Sequence, residues 1–360
     1  MGYDLFMEIY AMRRRLILGA MLGCLLVLIG LLAGSAYCAS NQDDREQRPV
    51  EAAGAAPLEL KFKVPLGDVR GRIDHMAVDL ARQRLFVAEL GNNSVGIVDL
   101  KDRKLVRRIP RLKEPQGVGY DPATDTLYVA NAGDGSVRLF QGENYDPVGR
   151  IDLGDDADNV RVEPTTRRVF VGYGSGALAE IDASNRRKTA EIALKAHPES
   201  FQLDPRSERI FVNVPDARAV AVVDRSTRKQ SASWSTLGNG ANFPMAIDEN
   251  SDRVLVVFRH PAKLVALDMQ NGTVRSSVAT CDDSDDLFVD HKRQRVYVSC
   301  GEGYLDVFEV QPASYERIAH LATIPGARTS LFVPELDTFA LAVRATHDRP
   351  ASIWLYHPAP

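Results

Sequence analysis

The chain has 360 residues, of which 45% are hydrophobic and 26% are charged, and its formal net charge is −4. These values are typical of a globular protein with an ample core. A mildly acidic balance argues against a nucleic-acid-binding function, which needs concentrated positive charge.

The first 39 residues have the features of a targeting segment. Three arginines at positions 13–15 precede a stretch without charge at 16–39, and small residues at 34–36 fit a cleavage site. The apolar run is also long enough to span a bilayer. Residues 1–39 are therefore predicted to be a signal peptide or an N-terminal membrane anchor. Both place the rest of the chain outside the cytoplasm, in the periplasm or at the cell surface, with the membrane contacted only through this segment.

Two further segments precede the main body of the chain. Residues 40–57 are polar and then rich in alanine, glycine and proline, which predicts a flexible linker. Residues 58–64 alternate between apolar and charged side chains, with Leu58, Leu60, Phe62 and Val64 on one side. This alternation predicts a half-buried strand that stands alone before the first repeat.

A repeated unit then runs to the C-terminus at a spacing of 41 to 44 residues. An anchor residue ends a strand-like segment in each unit: Asp79, Asp121, Glu163, Asp204, Asp248, Asp290 and Pro334. Seven residues after each anchor lies a large apolar residue: Phe86, Tyr128, Phe170, Phe211, Leu255, Tyr297 and Leu341. Such a period with short strands indicates a propeller, a solenoid or an array.

Each unit is predicted to contain four short strands, which in the second unit are 117–120, 126–130, 136–140 and 147–153. Asp121 followed by proline favours a type I turn, because proline presets φ and the aspartate binds the backbone beyond it. Acidic or amide side chains such as Asp99 also end the third strands, where they can accept hydrogen bonds from the next turn.

The strand count predicts how the ring closes. The last unit ends after its third strand, at 352–356, and therefore lacks a fourth. If the isolated strand at 58–64 pairs with it, every sheet has four strands and few edges stay free. Residues 58–360 are therefore predicted to form an all-β, seven-bladed β-propeller with four-stranded antiparallel blades, in which the N-terminal strand closes the last blade. We expect a monomer.

The repeats resemble those of a known family. Residues 128–131 read Tyr-Val-Ala-Asn and are followed by Ser136 and Val137, and residues 86–88 read Phe-Val-Ala before Asn92. The chain is thus similar to the YVTN/YncE-like family of exported seven-bladed propellers. The resemblance implies the fold and export, but not an activity, since the repeat residues build blades.

Two cysteines lie in the repeat region, Cys281 and Cys300. An even number in an oxidising compartment predicts one disulfide. Two buried free thiols, or a copper site with His260, are the alternatives.

A propeller offers one obvious site, the mouth of its central channel, where the segments entering the innermost strands converge. The residues four and five positions before the anchors are Asp74 and His75, Gln116 and Gly117, Asp158 and Asn159, Glu199 and Ser200, Phe243 and Pro244, Asp285 and Asp286, and Thr329 and Ser330. The loops after the second strands are predicted to add Asn92, Asn131, Tyr173, Arg259, His260, Glu302, Arg344 and His347. For His197, His320 and His357 no partner is predicted.

The predicted ligand-binding set is Asp74, His75, Asp158, Asn159, Glu199, Asp285, Asp286, Arg259, His260, Glu302 and Arg344. Carboxylates with amide oxygens suit Ca²⁺ or Mg²⁺, with Asp74, Asp158, Glu199 and Asp285 as candidate ligands, and a histidine favours a transition metal. The structural alternative is that the acidic side chains bind loop amides around a solvated channel.

Three functions follow as hypotheses. The first is a non-catalytic scaffold that presents a polar, acidic channel mouth to a small polar ligand or a protein partner. The second is a metal-assisted hydrolase or lactonase with His75 as candidate base. The third is a periplasmic redox role at the same face. No catalytic motif distinguishes them.

Overall fold

The computed structural model describes residues 56–236 and 238–360. The predicted targeting segment at 1–39 and residues 40–55 of the predicted linker lie outside them. Within the described residues, 28 strands form seven four-stranded antiparallel sheets, in agreement with the predicted seven-bladed β-propeller. None of the helices in this part of the chain has the length and apolar character needed to cross a membrane.

Six blades are built from consecutive strands, with the first strand innermost. Blades 1 to 3 comprise β2 (Met76–Asp79), β3 (Arg84–Glu89), β4 (Ser94–Asp99) and β5 (Lys104–Ile109); β6 (Pro115–Asp121), β7 (Thr126–Asn131), β8 (Ser136–Gln141) and β9 (Asp146–Asp152); and β10 (Ala157–Glu163), β11 (Arg168–Tyr173), β12 (Ala177–Asp182) and β13 (Arg187–Ala193). Blades 4 to 6 comprise β14 (Phe201–Leu203), β15 (Arg209–Val214), β16 (Ala219–Asp224) and β17 (Lys229–Ser235); β18 (Gly240–Asp248), β19 (Arg253–His260), β20 (Ala262–Asp268) and β21 (Val274–Ala279); and β22 (Ser284–Asp290), β23 (Arg295–Cys300), β24 (Tyr304–Val310) and β25 (Tyr315–Ala322).

The seventh blade joins the two ends of the described chain. It comprises β26 (Ser330–Val333), β27 (Thr338–Val343), β28 (Ser352–Pro358) and, outermost, β1 (Leu58–Pro65). β1 pairs antiparallel with β28, from Leu58 opposite Pro358 to Pro65 opposite Ser352. This is the predicted closure, and it covers the edge that β28 would otherwise expose. Short 3-10 helices follow four strands: Leu90–Asn92, Ala132–Asp134, Pro215–Ala217 and Pro334–Leu336.

The repeated aspartates organise the turns. Oδ1 of Asp79 accepts a hydrogen bond from the backbone amide of Ala81 at 3.0 Å, and Oδ1 of Asp121 accepts one from Ala123 at 3.0 Å. At the end of a third strand, Oδ1 of Asp99 accepts one from Asp102 at 2.7 Å. Each side chain therefore satisfies a turn amide that the strand ladder leaves free, as the repeat predicts.

The core lies between the blades. The large residue seven positions after each anchor is fully buried in every repeat: Phe86, Tyr128, Phe170, Phe211, Leu255, Tyr297 and Leu341. Each of the seven described apolar clusters joins two neighbouring blades, and one of them contains Val64 of β1, Leu355 of β28 and Leu85 of β3. The ring is thus held together by interblade packing on all sides.

Cys281 and Cys300 form a disulfide-bonded pair, with Cα atoms 5.9 Å apart. Both are buried, Cys281 just before β22 and Cys300 at the end of β23. With the sulfur atoms bonded to each other and His260 exposed at the end of β19, the geometry favours the disulfide over the copper alternative.

Irregularities in the innermost strands set the geometry of the ring's inner wall. The pairing register shifts between Pro115 and Val118 in β6, and between Ala157 and Val160 in β10. Similar shifts occur near the start of β18 and of β22. Bulges of this kind turn side chains away from the regular alternation, and they occur where the predicted site residues stand.

Candidate functional site

Two cavities lie along the inner wall of the ring. The first, here called the central channel, has a volume of about 550 Å³ and is lined by residues of all seven innermost strands, β2, β6, β10, β14, β18, β22 and β26. The second, here called the rim pocket, has a volume of about 320 Å³ and lies where these strands begin. The rim pocket is lined by Arg72, Asp74, His75, Gln116, Asp156, Asp158, Asn159, His197, Glu199, Ser200, Phe243, Arg259, Asp285 and Arg328.

The structure brings seven of the predicted ligand-binding residues to the rim pocket: Asp74, His75, Asp158, Asn159, Glu199, Arg259 and Asp285. Asp286 lies instead in the central channel, and His75 lines both cavities. Asp285 lies within the register shift between Ser284 and Asp286, and the two neighbouring carboxylates line different cavities.

The other three predicted residues do not line the pocket. His260 follows Arg259 on β19, so its side chain points away and is exposed. Glu302 is an exposed turn residue whose carboxylate accepts a hydrogen bond from the amide of Asp282 at 2.9 Å. Arg344 lies outside the lining, and burial together with the charges of Arg328 and Arg72 lowers its pKa.

The bulge in β10 and one glycine position Asp158 and Asn159. Both side chains lie within the shifted segment between Ala157 and Val160, and both are buried. On the neighbouring blade, a Cβ atom at Gly117 would lie 2.0 Å from the carbonyl oxygen of Asp158. Only glycine permits this approach of the two backbones, and the approach fixes where Asp158 enters the pocket.

Asp158 lies between two histidines from other blades. Its Oδ2 is 3.9 Å from Nε2 of His197, and its Oδ1 is 3.6 Å from Nε2 of His75. The Nδ1–H of His197 donates to the carbonyl of Gly174 at 2.6 Å. Although burial alone would raise the pKa of Asp158, His197, His75 and Arg72 lower it.

The two histidines are correspondingly basic. Burial alone would lower the pKa of His197, but Asp158, the Gly174 carbonyl and Asp156 raise it to about 9. Burial also opposes the charged form of His75, whose pKa is raised by the charges of Asp74, Asp158 and Asp286. His197 is therefore an imidazolium at neutral pH and adds a positive charge to the pocket.

On the side of the pocket that contains Asp285, two arginines balance the negative charge of the carboxylate. Nη2 of Arg259 lies 2.7 Å from Oδ1 of Asp285, and Nε of Arg328 lies 3.2 Å from Oδ2 of the same carboxylate. The guanidinium of Arg259 also covers the ring of Phe243, 4.0 Å from its centroid. Charge-assisted pairs of this kind fix the position of both guanidinium groups.

Several buried polar atoms of the rim pocket have no hydrogen-bond partner. They are both carboxylate oxygens of Asp74, Oδ1 of Asp158 and Oδ1 of Asn159. Asp74 is nevertheless paired electrostatically, since its Oδ2 lies 2.8 Å from Nη2 of Arg72. Buried acceptors without donors are costly, and those that face a cavity are free to bind a ligand or ordered water.

Two carboxyl groups of the pocket are only weakly acidic. Burial raises the pKa of Asp74 to about 6, against the opposing charges of His75 and Arg72. Burial and the nearby charge of Asp158 raise the pKa of Glu199 to about 7. At neutral pH the pocket can therefore both accept and release protons, as groups with such shifts do.

The candidate metal ligands Asp74, Asp158, Glu199 and Asp285 all line the pocket but are not grouped around one point. In residues 56–236 and 238–360, no three His, Cys, Asp or Glu side chains are grouped so that they could hold a metal ion. Three of the four carboxylates are instead held beside arginine or histidine side chains.

Sequence reasoning missed Arg72, Asp156, His197 and Arg328. The first three lie seven residues before their anchors, two positions before the predicted inner pairs. They lie in the segments that lead into the innermost strands, so extending the predicted site by two residues toward the N-terminus in each repeat could have identified them.

The sequence indicates no partner for His197, His320 or His357, but the structure gives each of these histidines one. Besides His197, Nδ1 of His320 contacts Oδ1 of Asp306 at 2.5 Å, and its ring stacks on Tyr304 with centroids 3.9 Å apart. Nδ1 of His357 lies 3.0 Å from the carbonyl oxygen of Asp337. These partners come from neighbouring strands or turns, which single-sequence reading does not pair.

Comparison with known proteins supports the fold. No protein-family model matches the sequence, and no curated protein sequence matches it. Among solved structures, a chain in the crystal structure of a mitotic checkpoint complex is similar, with a TM-score of 0.71 and 12% identity over 92% of this chain and 100% of that one. At this identity the likeness shows the fold alone. The chain is therefore a seven-bladed β-propeller scaffold.

Proposed function

We propose that the protein is a binding propeller whose rim pocket takes a small zwitterionic solute of amino-acid or dipeptide size. A single observation carries the proposal: the three arginines of the pocket lie on one arc, where they flank Asp285 and Asp74, and the other arc carries Asp158 and Glu199 beside His197. Arg259, Arg328 and Arg72 come from blades 5, 7 and 1, whereas Asp158 and Glu199 come from blades 3 and 4.

The separated charges favour a ligand that carries both signs. A ligand ammonium group would lie near Asp158 and Glu199, where Oδ1 of Asp158 accepts no hydrogen bond. A ligand carboxylate would lie toward Arg72, whose buried Nε makes no hydrogen bond, and toward Arg328, whose Nε lies 3.2 Å from Oδ2 of Asp285. Arginine is suited to carboxylate recognition because its donors form a rigid planar fork. A volume of about 320 Å³ is at the small end of ligand pockets.

The cellular setting belongs to the same proposal. Residues 1–39 would export the chain as a cleaved signal peptide or hold it as an anchor, and residues 40–57 would link them to the propeller at 58–360. The protein would then act in the periplasm or at the cell surface, as the resemblance of its repeats to the YVTN/YncE-like family implies. A protein partner that inserts a charged chain end into the pocket would use the same contacts.

The pairing of carboxylates with arginines and histidines supports this reading better than a calcium or magnesium site. A metal-assisted hydrolase would need several carboxylates free to ligate one ion. Here Asp285 is held by two arginines and Asp74 lies beside Arg72.

Isothermal titration calorimetry with two model solutes tests the proposal. Glycylglycine carries both charges at neutral pH, and N-acetylglycinamide has the same size class without charge. We expect glycylglycine to bind at least about tenfold more tightly, since a hydrogen bond to a charged group contributes about 1.5–3 kcal/mol. Equal affinity for the two solutes, or binding of neither, would contradict the zwitterion assignment.

Variants locate the site. Asp158→Asn removes a negative charge and keeps the side-chain shape, Arg328→Gln removes a positive charge and leaves a shorter polar side chain, and each should weaken glycylglycine binding by about tenfold. Arg275→Gln is the matched control. Arg275 lies on the exposed strand β21, outside the pocket, and pairs with Asp268 at the end of β20. A cooperative thermal unfolding transition in each variant would show that it folds.

A further inference from the structure

The central channel has chemistry of its own, distinct from that of the rim pocket. Each of its seven innermost strands contributes at least one apolar side chain to the wall, including Val78, Val162, Leu203, Ile247, Val289 and Leu331. These side chains are only half-buried, because they line the cavity on one side, while all of them except Val78 also pack against the interblade clusters. An apolar surface of this size, left facing water in a cavity, favours an apolar occupant.

One guanidinium group lies at the end of this apolar wall. Arg161 projects from β10 into the channel, where Nη1 donates to the carbonyl of Val160 at 3.0 Å and Nη2 to Oγ of Ser200 at 3.4 Å. No carboxylate of residues 56–236 and 238–360 lies within 4.0 Å of its nitrogens. Burial lowers the pKa of Arg161, opposed by the more distant charges of Asp286 and Asp158.

This arginine differs from the others at the ring's inner wall. Arg72, Arg259 and Arg328 each have a carboxylate in direct contact. A half-buried cation without such a partner is incompletely solvated, and a bound anion would compensate its charge. The guanidinium carbon also lies 5.4 Å from the ring centroid of Phe201, which holds the group in place from the side.

We infer that the central channel is a second binding site, for an amphiphilic organic anion whose charged head pairs with Arg161 and whose apolar chain lies along the channel wall. The volume of about 550 Å³ is within the range of small-molecule sites. The head would replace the missing carboxylate partner of Arg161, and the chain would cover the half-buried valine and leucine side chains. The site shares only His75 with the rim pocket.

Asp286 limits the affinity of this site. It stands on β22, across the ring from Arg161, and its carboxylate accepts a hydrogen bond from the amide of Ser330 at 2.7 Å. Burial raises the pKa of Asp286 to about 7, so above that pH its negative charge opposes the binding of an anion beside Arg161. Asp286→Asn retains an oxygen that can accept from Ser330 and removes the charge, so it should tighten anion binding.

Calorimetry of the full chain with three probes tests the inference. Octanoate has both head and chain, 1-octanol has the chain without charge, and acetate has the charge without the chain. Octanoate should bind at least about tenfold more tightly than 1-octanol, as a charge-assisted pair implies, and acetate should show no measurable binding. Octanoate affinity equal to that of 1-octanol or of acetate would overturn the proposal.

Variants assign the head group to Arg161. Arg161→Met should abolish the preference of octanoate over 1-octanol, and Arg161→Lys should keep most of it because the charge remains. Arg328→Gln, in the rim pocket, should leave octanoate binding unchanged, which separates this site from the proposed zwitterion site. If Arg161→Met folds and both it and Asp286→Asn bind octanoate with the affinity of the wild type, the assignment is overturned. If Arg161→Met does not fold, a failure of Asp286→Asn to tighten binding overturns it alone.

Discussion

Asp158 is shared between two histidines from different blades: its Oδ2 lies 3.9 Å from Nε2 of His197 and its Oδ1 lies 3.6 Å from Nε2 of His75. The carboxylate is buried on blade 3, whereas the histidines precede the innermost strands of blades 4 and 1. The three groups therefore connect parts of the ring that are far apart in sequence. Their protonation should be visible in both stability and binding.

His197 should make stability depend on pH in the weakly alkaline range. Its pKa of about 9 in the folded protein lies above its ordinary value of 6.5. The folded state thus binds this proton more tightly, so the stabilisation is fully present below about pH 6.5 and is lost as pH rises through about 9. Relative to His197→Gln, the wild type should lose on the order of 2 kcal/mol of unfolding free energy across this window.

Urea denaturation at several pH values measures this difference. His347→Gln is the matched control, because His347 is fully exposed in the loop after β27. A wild-type stability that runs parallel to that of His197→Gln across the window would show that the Asp158–His197 contact does not form.

Glu199 gives a prediction of the opposite sign. Burial and the charge of Asp158 raise its pKa to about 7 from an ordinary 4.5, so the ionised form is disfavoured in the folded protein. Above about pH 7 the charge destabilises the fold fully, and the cost declines as pH falls from about 7 and is lost below the ordinary pKa of 4.5. Glu199→Gln should therefore raise the unfolding free energy by about 1–2 kcal/mol near pH 8 and leave it nearly unchanged near pH 4.

Thermal or chemical denaturation at the two pH values checks the Glu199 prediction. Glu143→Gln, in the exposed turn between β8 and β9, serves as the control with the same chemical change. Equal effects of the two substitutions at both pH values would contradict the burial of Glu199 beside Asp158.

The fold was predictable because its signals are local and repeated. Asp79 and Asp121 cap turns through their own side chains, and the residues seven positions later, such as Phe86 and Tyr128, are all fully buried. Each repeat independently predicts the same four-stranded unit, so a wrongly assigned strand in one repeat does not change the predicted fold. The closing strand β1 followed from counting strands rather than from any single residue.

The candidate site was only partly predictable because it depends on contacts between blades. The repeat register located Asp158 and Glu199, but Arg328 and His197 stand outside the positions that the register selected. The bulge in β10 shifts the side-chain alternation just where Asp158 and Asn159 begin. The pairing of Asp285 with Arg259 comes from neighbouring blades, and the charge balance of the pocket cannot be read from either segment alone.

The disulfide should contribute measurably to stability. Cys281 and Cys300 are separated by 19 residues and both are buried. Closing a loop of this size restricts the unfolded chain and typically contributes about 2–4 kcal/mol. The double variant Cys281→Ala/Cys300→Ala should lose that amount in urea denaturation. Reductant should lower the wild type to a similar level and leave the variant unaffected, whereas a wild type insensitive to reductant would contradict the prediction.

The closure by β1 predicts that the ends of the described chain stabilise each other. Val64 is fully buried in the cluster that joins blades 7 and 1, although it belongs to the first strand and packs with residues of the last. Val64→Ala removes methyl groups from this closed seam and should cost about 1–3 kcal/mol of unfolding free energy. Glu59→Ala, on the same strand but exposed beside Lys61, should change stability by less than about 0.5 kcal/mol. If the two substitutions cost the same, β1 is not packed against the last blade; if only Val64→Ala is costly, the ring is closed by this strand.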